Sequence, residues 1–321
     1  MRVVTSGARY LDIDAYAGCM AYAELLNLQG QKAIAATTAP LNESVTPTIR
    51  GWSTELVRDY QPSPDDMYVL IDISDPEFFD TFVVEDRVDE IIDHHMEFAD
   101  YWQQKIGDKS QIEFVGAACT LVYERWRQSG ELEQISETSA RLLIAGILDN
   151  TLNFEAVVTT DRDRAAYDEL SGHANLPENW QAVYFEECQQ TILSDLIGAI
   201  RNDVKQMNFP SFGKVTVGQL VVWDGRMLMA DRLDEICSAM AGAGDGWFMS
   251  VVSISEGRNY LIPGSERVKQ FLEKLSGAVF NGSVGVTDRL WLRKEIMKRD
   301  LDDIPFGGGD PDHIRAERGL I

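Results

Sequence analysis

Two imidazoles and a carboxylate follow one short apolar run of the sequence. The run 88–92 is followed directly by Asp93, His94 and His95. We predict that this run is a β-strand, and in an open α/β sheet ligands bind at the carboxyl ends of the strands. Imidazole nitrogens suit Mn, Fe, Co or Zn, and carboxylate oxygens suit harder divalent cations. The triplet therefore predicts part of a metal site, with a satisfied polar cluster in a loop as the alternative.

Three further apolar runs, at 2–5, 67–71 and 142–148, end in polar groups of the same kind. If these runs end at one edge of a sheet, their polar groups meet in a single cleft, which is where ligands and catalytic groups converge. The side chains predicted to meet there are Asp12 and Asp14 after the first run, Asp72 after the second, and Asp149 and Asn150 after the third.

The order and spacing of these motifs resemble the DHH phosphoesterase superfamily, most closely the family II (manganese-dependent) inorganic pyrophosphatases and the related exopolyphosphatases. The resemblance implies hydrolysis of phosphoanhydride or phosphoester bonds by a pair of divalent metal ions, Mn²⁺ or Mg²⁺, with Co²⁺ as a further candidate. The matching stretches are G-A-R-Y-L-D-I-D (7–14), V-L-I-D (69–72), D-H-H (93–95), G-A-A-C-T (116–120), G-I-L-D-N-T-L-N-F (146–154), D-V-K (203–205) and L-R-K-E (292–295).

The resemblance also implies a role for each matched residue, in three groups. The implied metal ligands are Asp72 between the two ions, Asp14 and His94 on one ion together with Asn150 or Asp149, and Asp12 on the other. The implied phosphate-binding residues are His95, Lys205, Arg293 and Lys294. The implied catalytic residues are His95, Asp12 and Asp93, of which Asp93 orients an imidazole.

Two positions depart from the family's pattern. The family's first motif opens with a His four residues before its first Asp, and Ala8 stands at that position. Its fourth motif carries an Asp directly before the Thr, and here Asn150 precedes Thr151, with Asp149 one residue earlier. Both positions are metal ligands in the family. One ion site therefore keeps nearly all of its ligands, whereas the other keeps only Asp12 and the shared Asp72.

The composition is that of a globular protein with an acidic surface. The 321 residues are 45% hydrophobic and 25% charged, with a net charge of −23. Such a surface repels polyanions, so the sequence argues against general nucleic-acid binding, which needs clustered Lys and Arg. A small phosphate-containing substrate held by metal ions and local cations remains compatible with it. The sequence does not determine the oligomeric state, and a homodimer is one of the alternatives.

The cysteines and the N-terminus indicate a cytoplasmic protein. Cys19, Cys119, Cys188 and Cys237 are scattered without metal-binding spacing, as reduced thiols are. The first residues lack the apolar core of a signal peptide. No apolar stretch approaches the roughly 20 residues needed to span a bilayer, so we expect no membrane association.

The alternation of strand and helix patterns predicts an α/β fold. We expect an N-terminal parallel sheet with helices on both faces, including a helix at 52–60 and one capped by Asp14. A smaller C-terminal α/β domain, similar to the substrate-clamping domain of the pyrophosphatase family, should follow, with the active-site cleft between the two. The expected boundaries are 1–190 for the DHH domain, 191–213 for a linker and 214–321 for the second domain. The glycine-rich tail 307–321 is expected to be flexible.

Three functions fit these observations. The leading one is a divalent-metal-dependent phosphohydrolase acting on pyrophosphate, short polyphosphate or another small phosphate compound. The second is a binding protein that keeps the phosphate cleft without turnover, which Ala8 and Asn150 favour. The third is a nucleotide phosphodiesterase of the other DHH branch, because the three glycines before Asp310 resemble the glycine-rich motif of that branch.

Overall fold

Five apolar runs of the N-terminal half form one parallel sheet in the computed structural model, which describes residues 1–52, 54–244 and 246–302 without the side chains of Lys294, Leu301 and Asp302. The strands are β1 (Arg2–Thr5), β2 (Ala33–Ala35), β3 (Met67–Ile71), β4 (Val88–Asp93) and β5 (Ser110–Ile112). Their order is β2-β1-β3-β4-β5, and every neighbouring pair is parallel. The strand order reverses between β1 and β3, so the crevice at their carboxyl ends is the switch point at which ligands bind.

Helices cover both faces of this sheet, as predicted. They are α1 (Ile13–Leu28), α2 (Pro47–Arg50), α3 (Ala99–Ile106), α4 (Ala118–Ser129), α5 (Glu137–Asn150) and α6 (Asp161–Ala174). On one face, α1 approaches β3 so closely that a Cβ on Gly18 would lie 2.5 Å from Cγ2 of Ile71. On the other face, Trp102 of α3 is fully buried in a cluster with Tyr68 and Leu70 of β3. The packing of helices on both faces of the sheet fixes the position of the carboxyl ends of its strands.

A mixed sheet organises the C-terminal half. Its strands are β6 (Lys205–Phe209), β7 (Gly213–Val222), β8 (Trp247–Ser253), β9 (Arg258–Pro263), β10 (Val279–Asn281) and β11 (Val284–Val286), in the order β10-β11-β9-β8-β7-β6. Only β7 and β8 are parallel among the described pairs. The remaining helices are α7 (Trp180–Ser194), α8 (Leu196–Asn202), α9 (Gly225–Met240), α10 (Glu266–Ser276) and α11 (Arg293–Asp302).

Strand alternation gives this second sheet two apolar faces. Leu220 and Met249 face a core shared with α8 and α9. Val217 and Phe248 face a separate core shared with α10 and α11. The predicted second α/β domain is therefore present, with helices on each side of its sheet.

Three local expectations differ from the structure. The chain divides into compact units between Tyr184 and Phe185, and the stretch expected as a linker contains α8 and β6. The described part of the expected helix at 52–60 is irregular, and the helix lies earlier, at α2. The N-cap of α1 is Asp12, whose side chain accepts from the N–H of Ala15, because Asp14 is already inside the helix. The tail 307–321 lies outside the described residues.

Two further observations concern the chemistry of the chain as a whole. All four cysteines are free thiols, with Cys19 and Cys119 buried. Within the described ranges, no helix combines the length and the apolar character needed to cross a bilayer.

Candidate metal centre

The predicted ligands of the first motif lie at the start of α1. Asp12 accepts a hydrogen bond of 3.0 Å from the N–H of Ala15. Asp14 is fully buried, and its two carboxylate oxygens accept from the N–H groups of Ala118 and Cys119, each at 2.8 Å. Those N–H groups open α4, where the helix dipole favours negative charge. The amino end of α4 thus holds Asp14 in place.

Asp72 follows β3 with an unusual backbone. Its φ of 59° lies in the left-handed region, which costs a non-glycine residue roughly 1–2 kcal/mol although Asp tolerates it better than most. Its N–H still continues the sheet by donating to the carbonyl of Ile92. Among the described residues, its buried Oδ1 has no hydrogen bond of acceptable geometry. Such an oxygen is a natural place for a cation.

The two imidazoles after β4 are oriented by different acceptors. Nδ1 of His94 lies 3.1 Å from the carbonyl oxygen of Val115, so Nδ1 carries the hydrogen and Nε2 points into the cluster. That Nε2 is 3.2 Å from Oδ1 of Asp72 and 4.0 Å from Oδ2 of Asp14. Nδ1 of His95 is bonded to Oδ1 of Asp93 at 2.9 Å, which leaves Nε2 of this half-exposed ring for a ligand.

Of the two residues that end α5, one reaches the cluster. The amide of Asn150 donates to Oδ2 of Asp14. The neighbouring Asp149 instead accepts from the hydroxyl of Tyr184 at 2.8 Å, and burial raises the pKa of Asp149 to about 6. Ala8 donates its backbone N–H to the carbonyl of Phe78 at 2.9 Å, and its methyl side chain offers no ligand atom.

The pKa shifts of the clustered groups reflect an excess of buried negative charge. Burial, reinforced by Asp72 and Asp14, raises the pKa of Asp12 well above its ordinary value. Burial and Asp72 likewise raise the pKa of Asp14 to about 7. Burial alone would lower the pKa of His94, but the adjacent Asp72 and Asp14 outweigh it and raise the pKa to about 10. A bound cation would offset the repulsion between carboxylates that are buried close together in this way.

The donor set fits a divalent transition metal. Ligand atoms of Asp72, His94 and His95 all lie within 4.8 Å of one another, the one such group among the described residues. Nδ1 of His95 is committed to Asp93, so Asp72 and His94 are the stronger pair. Carboxylate oxygen with imidazole nitrogen suits Mn²⁺, and the second hydrogen bond of His94 is the usual support of a metal-binding imidazole.

The predicted phosphate-binding residues of the second unit have partners of their own. Arg293 is mostly buried, and its guanidinium donates to the carbonyl oxygen and Oδ1 of Asp203 at 2.6 and 2.8 Å. Lys205 is exposed at the start of β6. The side chain of Lys294 lies outside the described residues. Phosphate binding by these three remains a prediction.

Sequence reasoning missed the residues that hold the ligands in place. The N–H groups of Ala118 and Cys119 and the hydroxyl of Tyr184 come from elements far away in the chain. The stretch G-A-A-C-T at 116–120 was recognised as a matching motif, but its N–H groups were given no role. Nothing local distinguishes Tyr184 from other tyrosines.

Comparisons with known proteins show what the chain is similar to. Residues 2–147 match the model described as DHH family, N-terminal domain. A manganese-dependent inorganic pyrophosphatase of Methanothrix thermoacetophila is 25% identical over 310 residues, covering 91% of this chain and 94% of that protein. A protein of Lactobacillus helveticus named "Probable manganese-dependent inorganic pyrophosphatase" is 24% identical, covering 85% and 88%.

Solved structures share the two-domain fold. The "Methanococcus jannaschii putative family II inorganic pyrophosphatase" superposes with a TM-score of 0.61 at 19% identity, covering 94% of this chain and 98% of that one. An exopolyphosphatase-related protein from Bacteroides fragilis gives 0.51 at 13% identity, covering 93% and 89%. At these identities the likeness concerns the fold alone.

Proposed function

We propose, from the premise that residues 2–147 of this chain are an N-terminal domain of the DHH family, that the protein is a divalent-metal-dependent phosphohydrolase. The observation that carries the proposal is the meeting of Asp72 and His94. A buried carboxylate oxygen without a hydrogen bond lies 3.2 Å from an imidazole nitrogen whose partner nitrogen is fixed by a carbonyl. The metal proposed first is Mn²⁺, which the names of the manganese-dependent relatives support, with Mg²⁺ as the alternative.

The residues divide the work of hydrolysis. Asp72, His94, Asp14 and Asp12 would hold the metal, and the N–H groups at the amino end of α4 keep the Asp14 carboxylate in place. When bound there, a divalent ion would offset negative charge on the phosphate oxygens and would lower the pKa of a water enough for it to lose a proton near neutral pH and act as the nucleophile. His95 is held by Asp93, and the pKa of His95 is raised although burial opposes this, so the ring can donate to a phosphate oxygen.

The substrate proposed first is pyrophosphate or a short polyphosphate. The two relatives named as manganese-dependent pyrophosphatases align over most of the chain, which supports this choice. The test is a panel of Mn²⁺, Mg²⁺ and Co²⁺ against pyrophosphate, polyphosphate and cyclic dinucleotides, with phosphate release measured.

A matched pair of variants ties the activity to the site. His94→Asn should lower Mn²⁺ affinity and hydrolysis by at least about tenfold, because even outer partners of metal ligands cost about 10–100-fold. His173→Asn, on α6 and away from the cluster, is the control and should change neither. Equal activity of the two variants would contradict the proposal.

A second candidate is a phosphate-binding protein without turnover. The observation that favours it is the Asn150 amide, which donates to Asp14 as a neutral group, beside a first motif that has Ala8 in place of a ligand. Calorimetry separates the two, since a binding protein takes up pyrophosphate with Mn²⁺ and releases no phosphate in any assay of the panel.

A further inference from the structure

Asp163 lies outside the ligand cluster, and its carboxylate is hydrogen-bonded to the turn that leads into α4. It is fully buried near the start of α6. Its Oδ1 accepts from the hydroxyl of Thr120 at 2.6 Å and from the N–H of Gly116 at 3.1 Å. Its Oδ2 accepts from the same N–H at 2.9 Å and from the N–H and hydroxyl of Thr160, both at 2.7 Å. One carboxylate therefore joins α6, α4 and the turn before α4.

Helix capping does not account for most of the hydrogen bonds to the Asp163 carboxylate. The N–H of Thr160 donates to Oδ2 in one half of the capping box that starts α6, and the N–H of Asp163 donates to the hydroxyl oxygen of Thr160 in the other half. The bonds from Gly116 and Thr120 contribute nothing to that cap, because both residues belong to the entry of α4. A residue that served α6 alone would not need them.

The turn gripped by Asp163 leads directly to the N–H groups that hold Asp14. Gly116 is two residues before Ala118, and Ala118 and Cys119 donate to the two oxygens of Asp14 at 2.8 Å. All of these groups are buried, so a shift of the turn cannot be compensated by solvent. The position of Asp14 is therefore set through the turn by Asp163.

The same junction touches the other side of the cluster. A Cβ added to Gly116 would lie 2.6 Å from Cγ2 of Thr151 and 2.8 Å from Oδ2 of Asp163. Thr151 follows Asn150, whose amide donates to Asp14. The close packing at Gly116 thus couples the end of α5 to the entry of α4.

We propose that Asp163 is a positioning residue of the metal centre, which orients Asp14 through the 116–119 turn. The inference rests on the proposed function in one respect, that the cluster binds a divalent ion. It does not depend on which phosphate compound is hydrolysed.

The test is Mn²⁺ binding by calorimetry to the full chain, with thermal unfolding measured alongside. Asp163→Asn keeps the shape but places an amide N–H against the N–H of Gly116 or Thr160, so the turn must move. We expect Mn²⁺ affinity to fall by about 10–100-fold, the usual effect of losing an outer partner of a metal ligand. The Michaelis constant for Mn²⁺ activation should rise in step.

Asp66→Asn is the matched control. Asp66 is a buried carboxylate that accepts from the hydroxyl of Tyr60 at 2.6 Å and the N–H of Ser63 at 2.9 Å, just before β3 and so at the opposite edge of the sheet from Asp72. Its loss should lower the melting temperature while Mn²⁺ affinity stays within about twofold, as expected for distant sites. Affinity that falls equally in the two variants would overturn the positioning role.

A milder variant keeps the test decisive if Asp163→Asn does not fold. Thr120→Val removes one donor to Oδ1 and leaves the α6 cap intact, so Mn²⁺ affinity should fall in the same direction by a smaller factor. Unchanged affinity in the folded variant would overturn the inference while leaving the proposed function standing. A wild-type chain that binds no Mn²⁺ would overturn both, whereas one that binds Mn²⁺ without hydrolysis would remove only the hydrolase proposal.

Discussion

At the scale of single residues, the Asn150–Asp14 contact decides how the cluster tolerates its own charge. The amide donates to an oxygen that also accepts from the N–H of Ala118. A second carboxylate at this position would face a buried carboxylate at hydrogen-bond distance, which is unfavourable unless a cation lies between them. The amide thus stabilises the metal-free cluster and gives up one charged ligand.

The prediction at this scale is that Asn150→Asp exchanges metal-free stability for metal affinity. Without metal, the melting temperature should fall because two buried carboxylates come into contact. With Mn²⁺, calorimetry should show affinity at least about tenfold higher, comparable to the effect of other ligand partners. Adding Ala8→His should raise the affinity again and increase pyrophosphate hydrolysis.

The control for this exchange is Asn175→Asp. Asn175 ends α6 in the left-handed conformation, which Asp also tolerates, and it is not among the groups that contact the cluster. It should change neither Mn²⁺ affinity nor turnover. If Asn150→Asp leaves metal binding unchanged, Asn150 is not at a ligand position. If binding rises without hydrolysis, the cleft suits another substrate or binding alone.

At the scale of elements, helix ends hold charges in both units. The amino end of α4 meets Asp14 in the first unit. In the second unit, Arg293 begins α11, donates its N–H to the side chain of Gln219 and pairs with Asp203. The side chain of Arg293 is 10% exposed and that of Asp203 is 40% exposed, so solvent screens the pair only partly.

We predict that Arg293→Gln lowers the free energy of unfolding of the second unit by about 1–2 kcal/mol, because two hydrogen bonds to Asp203 are lost and partly screened charge remains. Urea unfolding followed by tryptophan fluorescence measures it. Arg201→Gln, an exposed change in the last turn of α8, is the control and should have little effect.

The variant Arg293→Gln also tests whether the predicted phosphate-binding residues of the second unit bind phosphate. Pyrophosphate affinity measured on folded Arg293→Gln should fall well beyond the stability effect if the guanidinium also binds phosphate. A loss confined to stability would identify a structural ion pair and remove Arg293 from the substrate-binding set.

At the scale of the whole molecule, the proposed metal ligands lie in one unit, whereas three of the four predicted phosphate-binding residues lie in the other. Every residue proposed to bind metal lies in Met1–Tyr184, whereas Lys205, Arg293 and Lys294 lie beyond Phe185. Each unit has its own apolar core. A ligand that binds only one unit stabilises that unit by mass action, about 2.7 kcal/mol at a concentration 100 times its dissociation constant.

We therefore predict that Mn²⁺ alone slows amide hydrogen exchange in the first unit, up to about 100-fold for its most protected amides, and leaves the second unit unchanged. Pyrophosphate added with Mn²⁺ should extend the protection from exchange to the second unit if Lys205, Arg293 and Lys294 bind phosphate. Equal protection of both units by Mn²⁺ alone would contradict this division of ligands.

The sequence by itself determined the class of fold and the strand ends at which the candidate ligands lie. Apolar runs that end in Asp72 and Asp93 are local patterns, and they identified β3 and β4 with their polar ends. Strands alternating with helices favour a parallel sheet, in which the polar groups that follow the strands meet at the carboxyl edge.

Only the tertiary structure decided how the ligands are held. The N–H groups that bind Asp14 lie at the start of α4. Tyr184 donates a hydrogen bond to Asp149, and Asp203 accepts one from the guanidinium of Arg293. These contacts join residues far apart in the chain, and local propensity carries no information about them. The left-handed backbone of Asp72 has the same origin, because the surrounding packing, and not the residue's own preference, imposes that conformation.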